Sequence, residues 1–126
     1  MKIFVVEDSA AIRERLVEMI DEIDGFAVVG VAATYGEAVS GIARTRPDVA
    51  ILDIQLASGS GIDALAEAKR WQPGLRAIIL TNYATPQHEK AAVDAGAEYF
   101  LDKSADFEKI AEILQSMSAD QNGAAE

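Results

Sequence analysis

The sequence predicts an α/β fold in which a parallel sheet carries helices on both faces. Short apolar runs alternate with amphipathic segments five times along the chain, as expected for five β-α units. The apolar runs are continuous, which is typical of strands that are buried on both sides. Because a helical segment separates each pair of runs, we expect parallel strands joined by right-handed crossovers.

Five short runs rich in apolar and β-branched residues are predicted to be the strands. These runs cover residues 3–6, 26–31, 49–52, 77–80 and 99–101. Each run is bounded by residues that favour turns or helix starts. The pattern therefore predicts a five-stranded sheet with one helix after each strand.

Polar capping residues predict where the helices begin. The candidate starts are Ser9, Thr34 with Glu37 in a capping-box spacing, a Ser/Gly stretch at 58–61, and Thr85 followed by Pro86. The expected breaks are Gly25, Pro47, Pro73 and Gly96. Apolar residues at helical spacing predict the last helix, and these are Phe107, Ile110, Leu114 and Met117.

Composition excludes several classes of function. The chain of 126 residues carries 11 basic and 21 acidic residues, a formal net charge of −10, which argues against direct binding to nucleic acid or an anionic membrane surface. It has no cysteine, so disulfides and cysteine-ligated metals are excluded. No apolar stretch approaches the roughly 20 residues of a membrane span. We predict one cytoplasmic domain over residues 1–118 and a flexible tail over 119–126.

Polar side chains gather at the carboxyl ends of four of the five predicted strands. Glu7 and Asp8 follow the first strand, Asp53 follows the third, Thr81 follows the fourth, and Lys103 stands just after the fifth. Ligands of open α/β sheets bind outside the carboxyl ends of the strands. We therefore expect these five side chains to meet at one edge of the sheet.

The residue types at this edge favour phosphoryl chemistry. Three carboxylates repel one another unless a cation is present, and oxygen ligands suit Mg²⁺, which readily shares its coordination with phosphate. Asp53 is placed to act as a nucleophile, because carboxylates form aspartyl phosphates. Lys103 can pair with phosphate oxygens, and Thr81 can hydrogen-bond one of them. The sequence therefore predicts Mg²⁺-dependent transfer of a phosphoryl group to Asp53.

Over nearly all of its length the sequence resembles the receiver domain of bacterial two-component response regulators. The matching features are the acid pair after strand one, Asp53 with Gly61 eight residues on, Thr81 and Lys103. The resemblance implies a flavodoxin-like (βα)5 fold with strand order 2-1-3-4-5, the order of the chemotaxis receiver.

The resemblance also implies a role for each residue of the site. Asp53 would be the phosphoacceptor, and Asp8 and Asp53 would bind Mg²⁺ directly. The main-chain carbonyl of Gln55 would be a third ligand, and Glu7 would act through water. Lys103 would contact the phosphoryl group.

A conformational switch follows from the same resemblance. Thr81 would move toward the phosphoryl group, and Phe100 would swing inward into the space that Thr81 leaves. The helix that begins near Pro86, strand five and the last helix would form the signalling face.

The chain departs from the family pattern near the site. Ser104 follows Lys103 where the family often has a proline after a cis bond, so the resemblance leaves this turn open. Ala57 also stands where a proline is common. Gln55 and Tyr83 occupy the positions that tune phosphate lifetime in the family. We expect a bulky Tyr83 to shield the phosphoryl group from water and to slow its hydrolysis.

The predicted function is a phosphorylation-activated signalling switch, not an enzyme with a separate substrate. A histidine kinase or phosphotransfer protein would load it, and a downstream protein that the sequence does not identify would recognise it. Two alternatives stay open, namely a degenerate receiver that binds without phosphorylation and the receiver fragment of a longer regulator. A flavin carrier is disfavoured because Glu7 and Asp8 would repel its phosphate. An aspartate-nucleophile phosphatase is disfavoured because Gln55 stands where a general acid is needed.

Two further residues are given structural roles. His88, the single histidine, lies in the first turn of the predicted fourth helix, where we expect it to be exposed and without a catalytic role. Trp71, the single tryptophan, stands near the end of the third helix, where we expect it to pack against its neighbours. Neither residue is assigned to the site.

Overall fold

Strands and helices alternate along the chain in the computed structural model, which describes residues 1–124. The five strands are β1 (Lys2–Val6), β2 (Ala27–Ala32), β3 (Val49–Leu52), β4 (Arg76–Thr81) and β5 (Tyr99–Asp102). The helices are α1 (Ala10–Asp21), α2 (Tyr35–Thr45), α3 (Gly61–Trp71), α4 (Pro86–Asp94) and α5 (Ile110–Ala124), with a 3₁₀ turn over Phe107–Lys109 before the last. Every predicted strand is present, and its bounds differ from the prediction by no more than one residue.

The five strands form one parallel sheet in the order β2-β1-β3-β4-β5. This confirms the predicted fold class and strand order. All strands end at the same side of the sheet, which we call the carboxyl edge, and the opposite side is the amino edge. The order reverses between β1 and β3, and the crevice outside such a reversal is where open α/β sheets bind ligands.

Helices cover both faces of the sheet, and each face has its own apolar core. In β1, Ile3 and Val5 point to one face while Phe4 and Val6 point to the other, and all four are buried. The first face packs against α1 and α5, and the second packs against α2, α3 and α4. This double burial explains why the strands are continuous apolar runs.

The predicted capping residues begin four helices. The side-chain oxygens of Ser9, Thr34, Ser60 and Thr85 each accept a hydrogen bond from a main-chain N–H of the first turn. The capping box at Thr34 differs from the expected pattern in one bond. The Glu37 carboxylate accepts from the N–H of Ala33, not from that of Thr34. The local sequence therefore sets the four helix starts.

The last helix extends further than the sequence suggested. Helix α5 continues through Ala124, into the segment for which a tail was predicted at 119–126. Residues 125 and 126 lie outside the described part of the chain, and the division at residue 118 stays a prediction. Within residues 1–124, no helix is long and apolar enough to cross a membrane.

The packing role expected for Trp71 is wrong. This side chain is 68% exposed at the end of α3. Its indole N–H donates to Glu67 Oε1 at 3.1 Å, one turn earlier on the same helix. The ring is therefore held on the helix surface and does not enter the core.

Candidate functional site

The polar residues at the strand ends meet at the carboxyl edge, as predicted. Glu7 follows β1 and Asp53 follows β3, so both lie at the point where the strand order reverses. Thr81 is the last residue of β4, and Lys103 follows β5 directly. Within the part of the chain whose burial is described, the buried polar residues are Glu7, Asp53 and Thr81, with exposed fractions of 1%, 6% and 0%. Such burial is costly unless each group is paired.

The ammonium group of Lys103 joins the acids that follow β1 and β3. Its Nζ lies 2.5 Å from Glu7 Oε1 and 2.7 Å from Asp53 Oδ2, and its side chain is 8% exposed. Burial alone would lower the pKa of Lys103. The hydrogen bonds to Asp53 and Glu7 together outweigh that effect, so the pKa of Lys103 is raised. A charged lysine therefore sits between two buried carboxylates.

The surroundings of Glu7 disfavour its charged form. Its Oε2 accepts a hydrogen bond from the N–H of Ser9 at 2.9 Å. Burial raises the pKa of Glu7, and the bonds to Lys103 and Ser9 offset this only in part. Nearby Asp8 and Asp53 raise the pKa of Glu7 further. Burial and the neighbouring acids therefore make the negative charge on Glu7 unfavourable.

The backbone of β3 and α3 fixes the position of Asp53. Its N–H donates to the carbonyl of Val6 at 2.9 Å, and its Oδ1 accepts from the N–H of Ile54 at 2.7 Å. Gly61, the first residue of α3, lies against this segment, and a Cβ there would stand 1.7 Å from the carbonyl oxygen of Asp53. The glycine eight residues after Asp53 is therefore required by close backbone contact.

Three acids at this edge form a candidate metal site. Glu7, Asp8 and Asp53 each place one carboxylate oxygen within 4.8 Å of the others, and Asp8 is exposed to solvent. Three carboxylates against the single ammonium of Lys103 leave an excess of two negative charges, which a divalent cation would neutralise. Oxygen-only ligands with one open side suit Mg²⁺, which keeps several of its waters. The residues present therefore fit this ion.

Thr81 and the loop that follows it are held by hydrogen bonds. The Thr81 Oγ1 accepts from the N–H of Tyr83 at 3.0 Å, and its carbonyl accepts from the N–H of Lys103 at 3.0 Å. The Nδ1 of His88 lies 2.9 Å from the carbonyl oxygen of Tyr83. His88 is half-buried, so it is less exposed than the sequence suggested. The Tyr83 side chain itself is exposed.

Comparison with known proteins identifies the family. A model described as the response regulator receiver domain matches residues 3–115. The chain belongs to the response regulator receiver domain family. The receiver domain is 32% identical over 119 residues to the DNA-binding transcriptional activator DevR/DosR of Mycobacterium tuberculosis, covering 94% of this chain and 55% of the relative. A protein-glutamate methylesterase/protein-glutamine glutaminase of Alkalilimnicola ehrlichii is 37% identical over 122 residues, covering 91% and 31%.

Solved structures share the fold of this receiver domain. A CheY-like receiver domain protein from Methanospirillum hungatei superposes with a TM-score of 0.85 at 27% identity, covering 98% of this chain and 97% of that one. A two-component response regulator of the LuxR family from Aurantimonas has a TM-score of 0.83 at 32% identity, covering 97% and 85%. The receiver domain spans about half the length of the curated relatives it matches.

Phe100 lies on the same face of the receiver domain sheet as Thr81. It pairs with Ile79 across β4 and β5, and Thr81 stands two residues after Ile79 on the same strand. Because side chains alternate along a strand, all three point to one face. Phe100 is half-buried against the core on that face. The two predicted switch residues therefore lie on adjacent strands and on the same face of the sheet. Their movement stays a prediction.

The structure shows the local backbone at Ser104 and Ala57, the two positions where the family often has proline. The peptide bonds of residues 1–124 include no cis bond, so Lys103–Ser104 is trans. The N–H of Ala57 donates to the carbonyl of Ala33 at 3.0 Å, a bond that proline could not make. Gln55 is exposed in the same loop, where it pairs with Ser60.

Sequence reasoning missed the turn that carries Lys103. Asp102 and Asp106 flank this turn and bond to its main chain. The available signal was Asp102 two residues before Ser104, since an aspartate commonly bonds to a main-chain N–H two residues on. Ser104 in place of proline indicates an unusual turn, but it does not by itself indicate that Asp102 bonds to that turn.

Proposed function

We propose that this receiver domain is a phosphorylation-activated switch that accepts a phosphoryl group on Asp53 in a Mg²⁺-dependent reaction. The observation that supports the proposal most is the buried contact of Lys103 with both Glu7 and Asp53, beside the exposed carboxylate of Asp8. A nucleophile, a fixed cation and an acidic metal site then share one small polar region. Family membership favours the same function.

The acidic residues of the site would hold the ion. Asp8 and Asp53 would bind it directly, together with the main-chain carbonyl of Gln55, and Glu7 would reach it through water. Bound Mg²⁺ supplies positive charge that offsets the charge of a phosphoryl group during transfer. The excess of two negative charges among the acids and Lys103 supports this role.

The residues around Asp53 suit transfer from a phosphohistidine. An oxygen of Asp53 attacks the phosphorus atom, a P–O bond forms while the P–N bond breaks, and the imidazole of the donor leaves. Lys103 exchanges its contact with Asp53 for a phosphoryl oxygen. The Thr81 hydroxyl donates a hydrogen bond to another oxygen. Hydrolysis later breaks the P–O bond to Asp53 and releases inorganic phosphate.

The response would pass from Thr81 to Phe100 and so to the face formed by α4, β5 and α5. A histidine kinase or phosphotransfer protein in the cytoplasm would be the donor, and a protein that binds this face would be the target. We expect the exposed Tyr83 to shield the phosphoryl group and to slow its hydrolysis. A Tyr83→Ala variant that loses phosphate no faster than the parent would contradict this part of the proposal.

Intact mass spectrometry after incubation with acetyl phosphate and Mg²⁺ tests the proposal. We expect one phosphoryl group on the parent protein, none on Asp53→Asn, and none after chelation of the metal. Asp24→Asn, which changes an exposed acid between α1 and β2, is the matched control and should be labelled like the parent. An unlabelled parent, or equal labelling of Asp53→Asn, would refute the proposal.

A further inference from the structure

The turn between β5 and the 3₁₀ segment is tied together by the side chain and main chain of Asp102. Its Oδ1 accepts hydrogen bonds from the N–H of Ser104 at 2.8 Å, the hydroxyl of Ser104 at 2.6 Å and the N–H of Ala105 at 3.1 Å. Its N–H donates to Asp106 Oδ2 at 2.9 Å, and its carbonyl accepts from the N–H of Asp106 at 2.8 Å. We call these contacts the Asp102 clamp.

The Asp102 clamp encloses Lys103. The N–H of Lys103 donates to the carbonyl of Thr81 at 3.0 Å, which ties the main chain of Lys103 to β4. From there its side chain, four flexible methylene groups long, must deliver the ammonium to Glu7 and Asp53. A shift of the turn would be transmitted to this ammonium, and a misplacement of about 1 Å in a reacting group can cost about a hundredfold in rate.

We propose that Asp102 is a positioning residue, which holds Lys103 against Glu7 and Asp53 and thereby sets the rate of phosphoryl transfer. The effect on the rate rests on the proposed function. The effect on the geometry of Lys103 does not, because it concerns contacts that exist without a phosphoryl group.

Asp102 acts on Lys103 through the turn, and its carboxylate accepts no hydrogen bond from Lys103 itself. The donors to its carboxylate come from Ser104 and Ala105. The bond from the Ser104 hydroxyl, followed by those from the two N–H groups, lowers the pKa of Asp102. The carboxylate is therefore charged at neutral pH, and charged acceptors make stronger hydrogen bonds than neutral ones. Without this carboxylate, three donors of the turn would lose their acceptor, namely the N–H and hydroxyl of Ser104 and the N–H of Ala105.

A series of variants separates positioning from general stability. Asp102→Ala removes the acceptor, Asp102→Asn keeps one neutral acceptor oxygen, and Ser104→Ala removes only the hydroxyl bond. Asp24→Ala is the matched control, because it deletes an exposed acid in the loop before β2, far from the site along the chain. Circular dichroism melts define a temperature at which every variant is folded.

Two measurements are made on each variant at that temperature. The first is the labelling rate with acetyl phosphate and Mg²⁺. The second is the ¹H–¹⁵N signal of the Lys103 ammonium in the metal-free protein, assigned by its absence in Lys103→Met. A buried ammonium held by two carboxylates gives a signal that exposed lysines lack, so this readout reports position and not fold.

We expect Asp102→Ala to be labelled roughly tenfold to a hundredfold more slowly and to lose or broaden the ammonium signal. Asp102→Asn should recover part of both, Ser104→Ala should fall between Asp102→Asn and the parent, and Asp24→Ala should match the parent. If Asp102→Ala does not fold, Asp102→Asn and Ser104→Ala test the inference instead. Asp102→Asn should then show the larger loss of labelling rate and of ammonium signal.

Two outcomes would overturn the inference. In the first, Asp102→Ala is labelled at the parent's rate. In the second, labelling slows while the ammonium signal is unchanged, which would mean that Asp102 acts by another route. A parent protein that takes no label refutes the proposed function instead, and the ammonium signal alone then decides whether Asp102 positions Lys103.

Discussion

The two edges of the sheet treat charge in opposite ways. At the amino edge, Arg76 forms a paired contact with Glu98, with Nε to Oε2 at 2.7 Å and Nη2 to Oε1 at 2.8 Å. The carboxyl edge places Glu7 and Asp53 around the ammonium of Lys103, with all three side chains buried. Asp120 also lies 3.9 Å from Nη2 of Arg76, so each edge places two acids around one base. The acids of the amino edge are partly or largely exposed to solvent, whereas those of the carboxyl edge are buried.

This difference is expected if the amino edge carries contacts that stabilise the fold and the carboxyl edge carries the proposed site. A surface ion pair contributes little and can be replaced at small cost. A buried site with excess negative charge is costly to the folded state, and such sites are commonly retained because the perturbed groups carry function. The following predictions test this contrast, beginning with the largest expected effect.

Substitution of Gly61 by alanine should destabilise the carboxyl edge most. The new Cβ would overlap the carbonyl oxygen of Asp53, so β3 and α3 must separate. We expect the free energy of unfolding in urea to fall by at least about 3 kcal/mol. Gly36→Ala in α2 is the control, since its Cβ meets nothing within 4 Å and should be neutral or stabilising. Equal effects of the two substitutions would show that the contact at Gly61 is easily relieved.

Substitution of Lys103 by methionine should break the charge balance of the carboxyl edge. Glu7 and Asp53 would stay buried without their cation, and we expect a loss of about 3 kcal/mol in metal-free buffer, measured by urea unfolding. Mg²⁺ should restore part of this loss. Lys90→Met removes an exposed lysine that pairs with Asp94 on α4 and should cost no more than about 0.5 kcal/mol. If Lys103→Met cost no more stability than Lys90→Met, the contrast between the buried and the exposed ion pairs would be contradicted.

Substitution of Asp8 by asparagine should change stability in a direction that depends on the metal. Without Mg²⁺ the variant should be up to about 1 kcal/mol more stable than the parent, because it removes one of three carboxylates that lie close together beside a single ammonium. The parent should melt at a higher temperature when Mg²⁺ is added, and Asp8→Asn should lose most of that increase. Asp24→Asn should keep it. A parent whose melting temperature ignores Mg²⁺ would count against the metal site.

Substitution of Glu98 by glutamine should have the smallest effect and depend on pH. The hydrogen bond from Arg76 lowers the pKa of Glu98 below its ordinary value of 4.5. The folded protein therefore favours the charged form, so the stabilisation is fully present above about pH 4.5 and is lost as pH falls through the lower pKa of the folded state. Because this pair is partly exposed, we expect Glu98→Gln to cost no more than about 1 kcal/mol at pH 7 and nothing in acid. Urea unfolding at several pH values measures this, and a cost that persists in acid would show that packing is responsible.

The sequence by itself determined the elements of the fold and the residues at the carboxyl edge. Continuous apolar runs predicted the strands because burial on both faces leaves no polar position within them. Ser9, Thr34 and Thr85 predicted helix starts because a cap bonds within the next three residues. The strand ends then placed Glu7, Asp53 and Lys103 at one edge, while the order of the strands came from family resemblance.

Only the tertiary structure decided which of these residues touch. Lys103 bonds to Asp53 across a sequence separation of 50 residues, and no local pattern encodes such a contact. The close approach of Gly61 to Asp53 and the shared face of Thr81 and Phe100 likewise depend on how helices and strands pack. Capping and periodicity act over three or four residues, whereas the site is assembled by the order and register of four strands.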